Sequence, residues 1–383
     1  MARGSIRKHE RDAGVSYEVV ADLGVDPVTG KRRQRSKSFK TKKEAQAALT
    51  QWLSDIDRGV VVDRSRQTVA QMMAYWLETY ARPTVRPTTY QCYEQTIRTH
   101  IVPALGTVPV QKLTPAHLET FYAEERAAGC GERTLEVCHL RLSQALDQAL
   151  RQGLVARNVT RVVTAPRSHP EEMKTWTAAE AQQFLEVASQ SVYGPIWLVS
   201  LFTGMRRGEL LGLRWQDVDW ERSVLSVRQG VSLLNGTPEE GGLKSKSARR
   251  EVPIEPEVVA ALREHRAKQN ERRLVLGAAW QDHDLILASA VGTPINPNNL
   301  YRDYNRLVAL AGVDHIRIHD QRHTHVTLAL QAGANLKAVS KRVGHARAST
   351  TLDLYAHVTP EMHTEVSDKV GAALRRPKRG AAE

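Results

Sequence analysis

Cysteine is nearly absent: Cys92, Cys130 and Cys138 are the only three in 383 residues, odd in number and without metal-binding spacing. That excludes a disulfide framework, and a reducing compartment is expected. Aromatic residues make up only 5% of the chain. No apolar run approaches the ~20 residues that a membrane helix needs, so no membrane partner is expected. The opening MARGSIRKHERDAG has no apolar stretch of the kind a secretory signal requires. Acid is scarce beside base, 42 Asp and Glu against 54 Lys and Arg, for a net charge of +12. Such a surplus favours a polyanionic partner, most simply DNA or RNA. What is present in ordinary amount is core-forming material, 41% of the chain. The length suits two or three domains.

Residues 1–62 read as a small separate domain. VSYEVVADL alternates as a strand does, DPVTG (26–30) is a turn signal, and KRRQRSKSFKTKK then carries eight Lys or Arg and no acid. Arg33, Arg35, Lys37 and Phe39 share one strand face by the period of two. KKEAQAALTQWLSDIDRG sets Ala45, Leu49, Leu53 and Ile56 at helical spacing and stops at Gly59. A hairpin or three-stranded sheet backed by one helix is expected, and a β-ribbon fits a DNA major groove.

Residues 66–165 read as a four-helix domain. Thr114 is an N-cap with Pro115 at the first helical position, and Gly129 and Gly153 are stops. Proline mixed with charge marks 160–175 as a linker. The last domain, 172–383, begins with the capping box TAAE (177–180) and the buried helix GPIWLVSLFTG. A small antiparallel sheet over SVLSVRQGVSLL and GGLKSKSARREVPI then interrupts the helices. The expected fold class is α+β, mainly α.

Four stretches of the last domain carry chemistry. TGMRRGELLGLRW (203–215) puts Arg206 just past a glycine-terminated helix, and LKSKSARREVP (243–253) puts Lys244 and Lys246 at a hairpin. RIHDQRHTHVTLAL (317–330) sets His319 and Arg322 three residues apart, on one helix face. VGHARASTTLDLYAHV (343–358) has His345 after a glycine and Tyr355 inside a helix. Cations gathered against apolar sequence need a partner. A phosphodiester under attack supplies one. Guanidinium forks hold its non-bridging oxygens. A histidine manages the nucleophile's proton, and a lysine protonates the leaving alkoxide. A tyrosine hydroxyl can be the nucleophile, provided cations offset its ordinary pKa of about 10.

These boxes resemble those of the tyrosine recombinase (phage integrase) family. TGMRRGELLGL fits its first box, HDQRHT its second and GHARASTTLDLYAH its third, in order and at compatible separations. Residues 1–62 resemble the arm-binding domain of lambda-type integrases, and 66–165 resemble their helical core-binding (SAM-like) domain. The resemblance implies that Arg206 and Arg322 clamp the scissile phosphate and that Tyr355 attacks it, becoming linked to the 3′ phosphate. It implies that His319 helps manage the tyrosine proton and that His345 hydrogen-bonds a phosphate oxygen. Lys244 would protonate the 5′ oxygen, with Lys246 the alternative if the hairpin alignment shifts by two. Glu209 would be structural. Arg33, Arg35, Lys37 and Lys246 are expected to contact DNA.

The partners implied are duplex DNA at core and arm sites, three further copies in a tetramer, and accessory bending and excision factors. The implied setting is the cytoplasm of a bacterial host, at the nucleoid. No metal and no cofactor are expected. The departures are mild: Gln321 stands where an apolar residue is usual, and Arg207 adds a charge. His323, His325 and His357 are assigned to packing or neighbouring roles.

Other functions fit parts of the pattern. A metal-dependent nuclease could use His319 and His323, spaced i, i+4, but no glutamate follows His319 and Arg322 would repel a dication. A non-catalytic DNA-binding regulator would need no catalytic set, yet every type is present. A type IB topoisomerase shares the tyrosine chemistry but has less need of an arm domain.

Overall fold

The computed structural model describes residues 4–11, 14–25, 32–57, 65–169, 173–242 and 248–344. The chain divides into two compact units between Pro170 and Glu171.

The first unit opens with strands β1 (Gly4–Arg11), β2 (Gly14–Val25) and β3 (Arg32–Phe39), antiparallel and in that order across the sheet. Helix α1 (Lys42–Asp57) covers one face. Alternation along β2 sends Val19 and Ala21 to that face, where they are buried with Ala45, Leu49 and Trp52. This is the expected sheet backed by one helix. The turn signal at 26–30 lies outside the described residues.

A second, all-helical core follows. Helix α2 (Val69–Trp76) starts at a capping box of Thr68 and Gln71, and α3 (Pro87–Thr96) starts at its proline. Each runs on into a π-type turn, Leu77–Ala81 and Ile97–Ile101. The short α4 (Val102–Leu105) continues the second. Helix α5 (Pro115–Ala127) begins at the Thr114 cap, and Gly129, at φ +86°, turns the chain back after it. Helix α6 (Glu132–Arg151) closes the bundle over Leu118, Phe121, Leu135 and Leu142.

The second unit begins with α7 (Ala178–Ala188), started by the expected Thr177–Glu180 box. Helix α8 (Gly194–Thr203) follows and ends at Gly204, φ +62°; α9 (Arg207–Leu211) is next. Strands β4 (Val218–Asp219), β5 (Val224–Val227) and β8 (Arg250–Pro253) form one sheet, with β5 central. Strands β6 (Gln229–Leu234) and β7 (Thr237–Gly242) form a hairpin. Helices α10 (Pro256–Leu276), α11 (Pro297–Ala311), α12 (Asp320–Gln331) and α13 (Leu336–Val343) complete the described part.

The hairpin tip is Asn235–Gly236, with φ of 51° and 80°, the Asn-Gly pair that a type I′ turn prefers. Lys244 and Lys246 come after the return strand β7 in sequence. Both lysines lie outside the described residues. The chain is mainly helical with small sheets, as its pattern predicts. Among the described residues no helix is long and apolar enough to cross a membrane.

The few aromatics are concentrated where they matter. Trp176, Phe184, Trp197 and Tyr304 pack edge to face or tilted around one point, with centroids 4.9–6.2 Å apart. The Tyr304 hydroxyl, fully buried, donates to the Ile316 carbonyl at 2.9 Å. That bond ties α11 to the segment leading into α12. Tyr304→Phe should therefore cost about 1–3 kcal/mol, the penalty for a buried carbonyl left without its donor. Equilibrium denaturation of wild type and variant measures it, and no loss would mean that packing alone fixes the segment.

Candidate active site

The C-terminal end of α8 organises this region. The last carbonyls of a helix have no partner within it and carry partial negative charge. Three side chains from later in the chain meet them. His325 Nδ1 lies 2.9 Å from the Leu201 carbonyl oxygen. Arg342 Nη2 donates to the Phe202 oxygen at 2.9 Å, and Arg322 Nη1 donates to the Gly204 oxygen at 2.9 Å. Gly204 is required twice over. Its φ is left-handed, and a Cβ there would come within 2.8 Å of the His325 ring and 3.0 Å of Val343.

Arg206 follows two residues after that glycine and N-caps α9. Its backbone N–H donates to Glu209 Oε2 at 3.0 Å and its Nη1 to Oε1 at 2.8 Å. Its Nη2 donates to the Gly344 carbonyl at 3.1 Å. Glu209 is almost wholly buried and also accepts from Arg250 Nη2 at 2.9 Å. Burial alone would raise its carboxyl, but the Arg250 hydrogen bond and charge, followed by Arg206, outweigh burial and hold it below the ordinary carboxylate value. Arg250 continues the brace, donating to the Arg342 carbonyl at 2.6 Å and the Ala248 carbonyl at 3.0 Å.

His319 stands at the start of α12 and is exposed to solvent. Partial burial first, then the charge of Arg322, with Arg206 and Arg317 behind it, holds its imidazole below the ordinary value. The ring is therefore neutral near pH 7, a proton acceptor facing cations. Arg317 is drawn off by Asp320, with bonds of 2.8 and 3.0 Å. Gln321 is fully buried and accepts from the Ser200 hydroxyl at 2.6 Å, which explains a polar residue at this position. His323 packs edge to face on His319, and burial pushes its pKa down to about 4. Among the described residues, no third His, Cys, Asp or Glu joins His319 and His323 in a metal-sized cluster.

The structure thus brings Arg206, His319 and Arg322 together. Lys244, Lys246, His345 and Tyr355 lie outside the described residues. Glu209 is structural, as expected. Sequence reasoning missed Arg250 as its second partner and Arg342 as a helix cap. A signal for Arg250 existed: it shares strand parity in β8 with the fully buried Val252.

The basic strand of the first unit keeps its period of two. Arg35 pairs across from Ala21 and Lys37 from Val19, which puts both on the α1 side of the sheet. The Arg35 guanidinium stacks 4.4 Å from the Trp52 ring centroid, and Lys37 lies over Phe39. Both remain exposed, on an edge strand. Arg33 pairs with Gly24 through the backbone, and its side chain lies outside the description. The opposite face carries Arg7, Ser36, Ser38 and the pair His9 and Glu18, 3.0 Å apart.

Comparison with known proteins agrees with this architecture. The phage integrase family model matches residues 174–362, the model of its N-terminal SAM-like domain matches 68–125, and an arm DNA-binding domain model matches 5–56. The chain belongs to the phage integrase family of tyrosine recombinases. A tyrosine recombinase XerC-like protein of Caldanaerobacter subterraneus subsp. tengcongensis is 28% identical, over 91% of this chain and 94% of its own. In fold, the chain is similar to the Tn1549 transposon integrase solved with a circular intermediate DNA. The TM-score there is 0.65 at 21% identity, over 79% of this chain and 99% of that one. It is also similar to a lambda integrase tetramer bound to a Holliday junction, at a TM-score of 0.55 and 16% identity, over 89% and 96% of the two chains.

Replacing Glu209 by Gln should destabilise the protein by roughly 3 kcal/mol at neutral pH, the low end for breaking a buried ion pair. The folded carboxyl titrates below its ordinary 4.5. Its stabilising contribution is therefore complete above that value and is lost as pH falls through the folded pKa. Melting curves of both proteins from pH 7 downward should converge only in acid. A gap independent of pH would mean that two acceptor oxygens, not charge, are what Glu209 supplies.

Proposed function

We propose that the chain integrates or excises a mobile element by cutting and rejoining DNA through a 3′-phosphotyrosine. Arg206 and Arg322 hold the non-bridging oxygens of the scissile phosphate. The Tyr355 hydroxyl oxygen attacks phosphorus, and its proton passes towards His319. The bond from phosphorus to the 5′ oxygen breaks, and Lys244, or Lys246 in a shifted alignment, protonates that oxygen. His345 hydrogen-bonds a phosphate oxygen. A 5′ hydroxyl of the partner duplex then attacks the phosphotyrosine, and Tyr355 leaves with its proton restored. One phosphodiester replaces another, so the exchange is nearly isoenergetic and requires no ATP.

The observation that carries this reading is an interlock. Arg322 of the second box holds the Gly204 carbonyl of the first, and Arg206 of the first box holds the Gly344 carbonyl, next in sequence to His345 of the third. The first two boxes and the opening glycine of the third thus meet in one region, with a neutral imidazole beside two guanidiniums.

Residues 1–62 serve as the arm-type DNA-binding domain, 66–165 as the core-binding domain and 172–383 as the catalytic domain. The family matches fall inside those bounds. Arg33, Arg35 and Lys37 contact arm DNA from the sheet edge, and Lys246 contacts core DNA. Holding two sites raises effective concentration, and binding weakens steeply with salt. Two duplexes with two cleavages each call for four protomers, and the lambda integrase tetramer on a junction supports that number. A DNA-bending host factor and an excision factor assist, and the work takes place at the bacterial nucleoid in the cytoplasm.

The test uses labelled DNA flanking the chain's own gene, with EDTA throughout. Wild type should form an SDS-resistant, protease-sensitive adduct. Tyr355→Phe should bind without forming it, and Arg322→Ala should slow adduct formation by about 10²–10³. Binding by both with no adduct from either, even on nicked DNA, would favour the regulator. Cleavage only with added metal, surviving in Tyr355→Phe, would overturn the reading.

The pH dependence follows from His319. It must be neutral to accept a proton, and its pKa lies below the ordinary 6.5. Single-turnover cleavage should hold its rate as pH falls to 6.5 and decline only beneath it. His319→Gln should be slower by about 10²-fold and should lose that acid limb. An unchanged limb in the variant would assign the titration elsewhere.

A further inference from the structure

A second cluster, in the helical part of the first unit, has no place in the recombination chemistry. We infer that His100, Glu125 and Cys130 form a binding site for a divalent transition metal of the zinc class. Three separate segments deliver them: the π-type turn Ile97–Ile101, the last turn of α5, and the residue after Gly129. One ligand atom from each lies within 4.8 Å of the others.

Backbone geometry holds the three together. Gly129 reverses the chain, and the Cys130 N–H donates to the Glu125 carbonyl at 2.9 Å. The thiol is thereby returned to the helix end that carries the carboxylate. A π-type turn holds one residue more than an α turn and so re-aims the side chain it carries, here His100. His100 Nδ1 already lies 2.6 Å from Glu125 Oε2. The side chains of His100 and Glu125 are 25% and 20% exposed, shielded yet reachable from solvent.

The donor set selects the metal. Imidazole nitrogen, carboxylate oxygen and thiolate sulfur are the zinc ligands, at about 2.0–2.3 Å, which puts tetrahedral ligand atoms roughly 3.3–3.6 Å apart. Shifts on the order of 1 Å would bring this cluster to that spacing. Calcium and magnesium demand oxygen ligands, and only one of these three supplies oxygen. Three protein ligands leave the fourth position to water. Binding releases the thiol proton and the imidazole keeps its lone pair for the metal, so affinity rises with pH. The bound ion would pin the end of α3 to the α5–α6 turn, bracing the bundle without touching the cleavage chemistry.

Cobalt(II) is the probe, since its thiolate complexes are coloured. The full chain would be purified without a polyhistidine tag, reduced and stripped of metal. Titration should give one equivalent of bound cobalt with thiolate charge-transfer and tetrahedral absorption, displaced by Zn²⁺. Cys130→Ser should lose the thiolate band and Cys92→Ser should keep it. His100→Gln, which preserves the helix, should weaken cobalt binding at least about tenfold. Zn²⁺ should raise the Tm of wild type but not of Cys130→Ser. Absence of the thiolate band, its persistence in Cys130→Ser, or unchanged affinity in His100→Gln would each overturn the proposal. The phosphotyrosine adduct should form in EDTA with Cys130→Ser as with wild type, so failure here leaves the recombinase reading standing, and the converse holds.

Discussion

The unpaired carbonyls at the end of α8 are the constraint on which the site depends. A helix that ends inside a protein must find donors for its last carbonyls. This one ends at a left-handed glycine, which turns the chain sharply and leaves the carbonyls of Leu201, Phe202 and Gly204 pointing at α12 and α13. All three are met by basic side chains, His325, Arg342 and Arg322. The helix end is electronegative, so two guanidiniums that would otherwise repel can be packed there, beside a His325 ring whose pKa burial pushes down to about 4. The fold's own need for donors thus concentrates cationic side chains at one place. A phosphate placed beside them would meet groups already fixed in position, which is the condition for electrostatic preorganisation.

Positive charge also has to be held in check from within. Glu209 is the counterweight: buried, shared by Arg206 and Arg250, and kept ionised by both. It fixes the Arg206 rotamer through one oxygen and the backbone of the same residue through the other. Arg250 in turn reaches the carbonyl of Arg342, so strand β8, helix α9 and helix α13 are joined through one carboxylate. A fully solvated glutamate in its place would exert much weaker pull, because water screens such pairs to about 0–1 kcal/mol.

How much of this could be read from the sequence divides along physical lines. Local chemistry was legible. Thr177, Thr114, Gly129 and Gly204 start or stop helices by rules that act within one turn, and the structure follows them. The three boxes were legible as a family pattern, and the family match over 174–362 bears that out. Long-range pairing was not. Nothing near Gly204 in sequence announces that a guanidinium 118 residues away holds its carbonyl. TPEE falls between the two stretches expected to form the sheet, yet it becomes part of β7, because the turn before it sets the register. The period of two grouped Arg35 with Lys37 correctly, yet it could not say which face α1 would cover. His100, Glu125 and Cys130 carry no spacing signal because three backbone elements are needed to assemble them.

The same interlock bears on how the arginines would act. Each shares its guanidinium with a backbone carbonyl from a different segment: Arg322 with Gly204, and Arg206 with Gly344. Removing Arg322 would therefore also release the turn that carries Arg206, and removing Arg206 would loosen the chain that leads on to His345. Residues coupled through a shared backbone shift do not contribute additively. The loss on truncating either arginine then measures the assembled turn as well as the missing charge. A double truncation would cost less than the sum of two single ones, because the first removal already dismantles part of what the second would remove. Lysine in either place would keep a cation, but its single ammonium lacks the planar fork. It could not hold a backbone carbonyl and a phosphate oxygen at once in this fixed geometry. The fold by itself thus demands arginine at both positions, and under the proposed mechanism the phosphate would be a second demand, met by a different part of the same side chain.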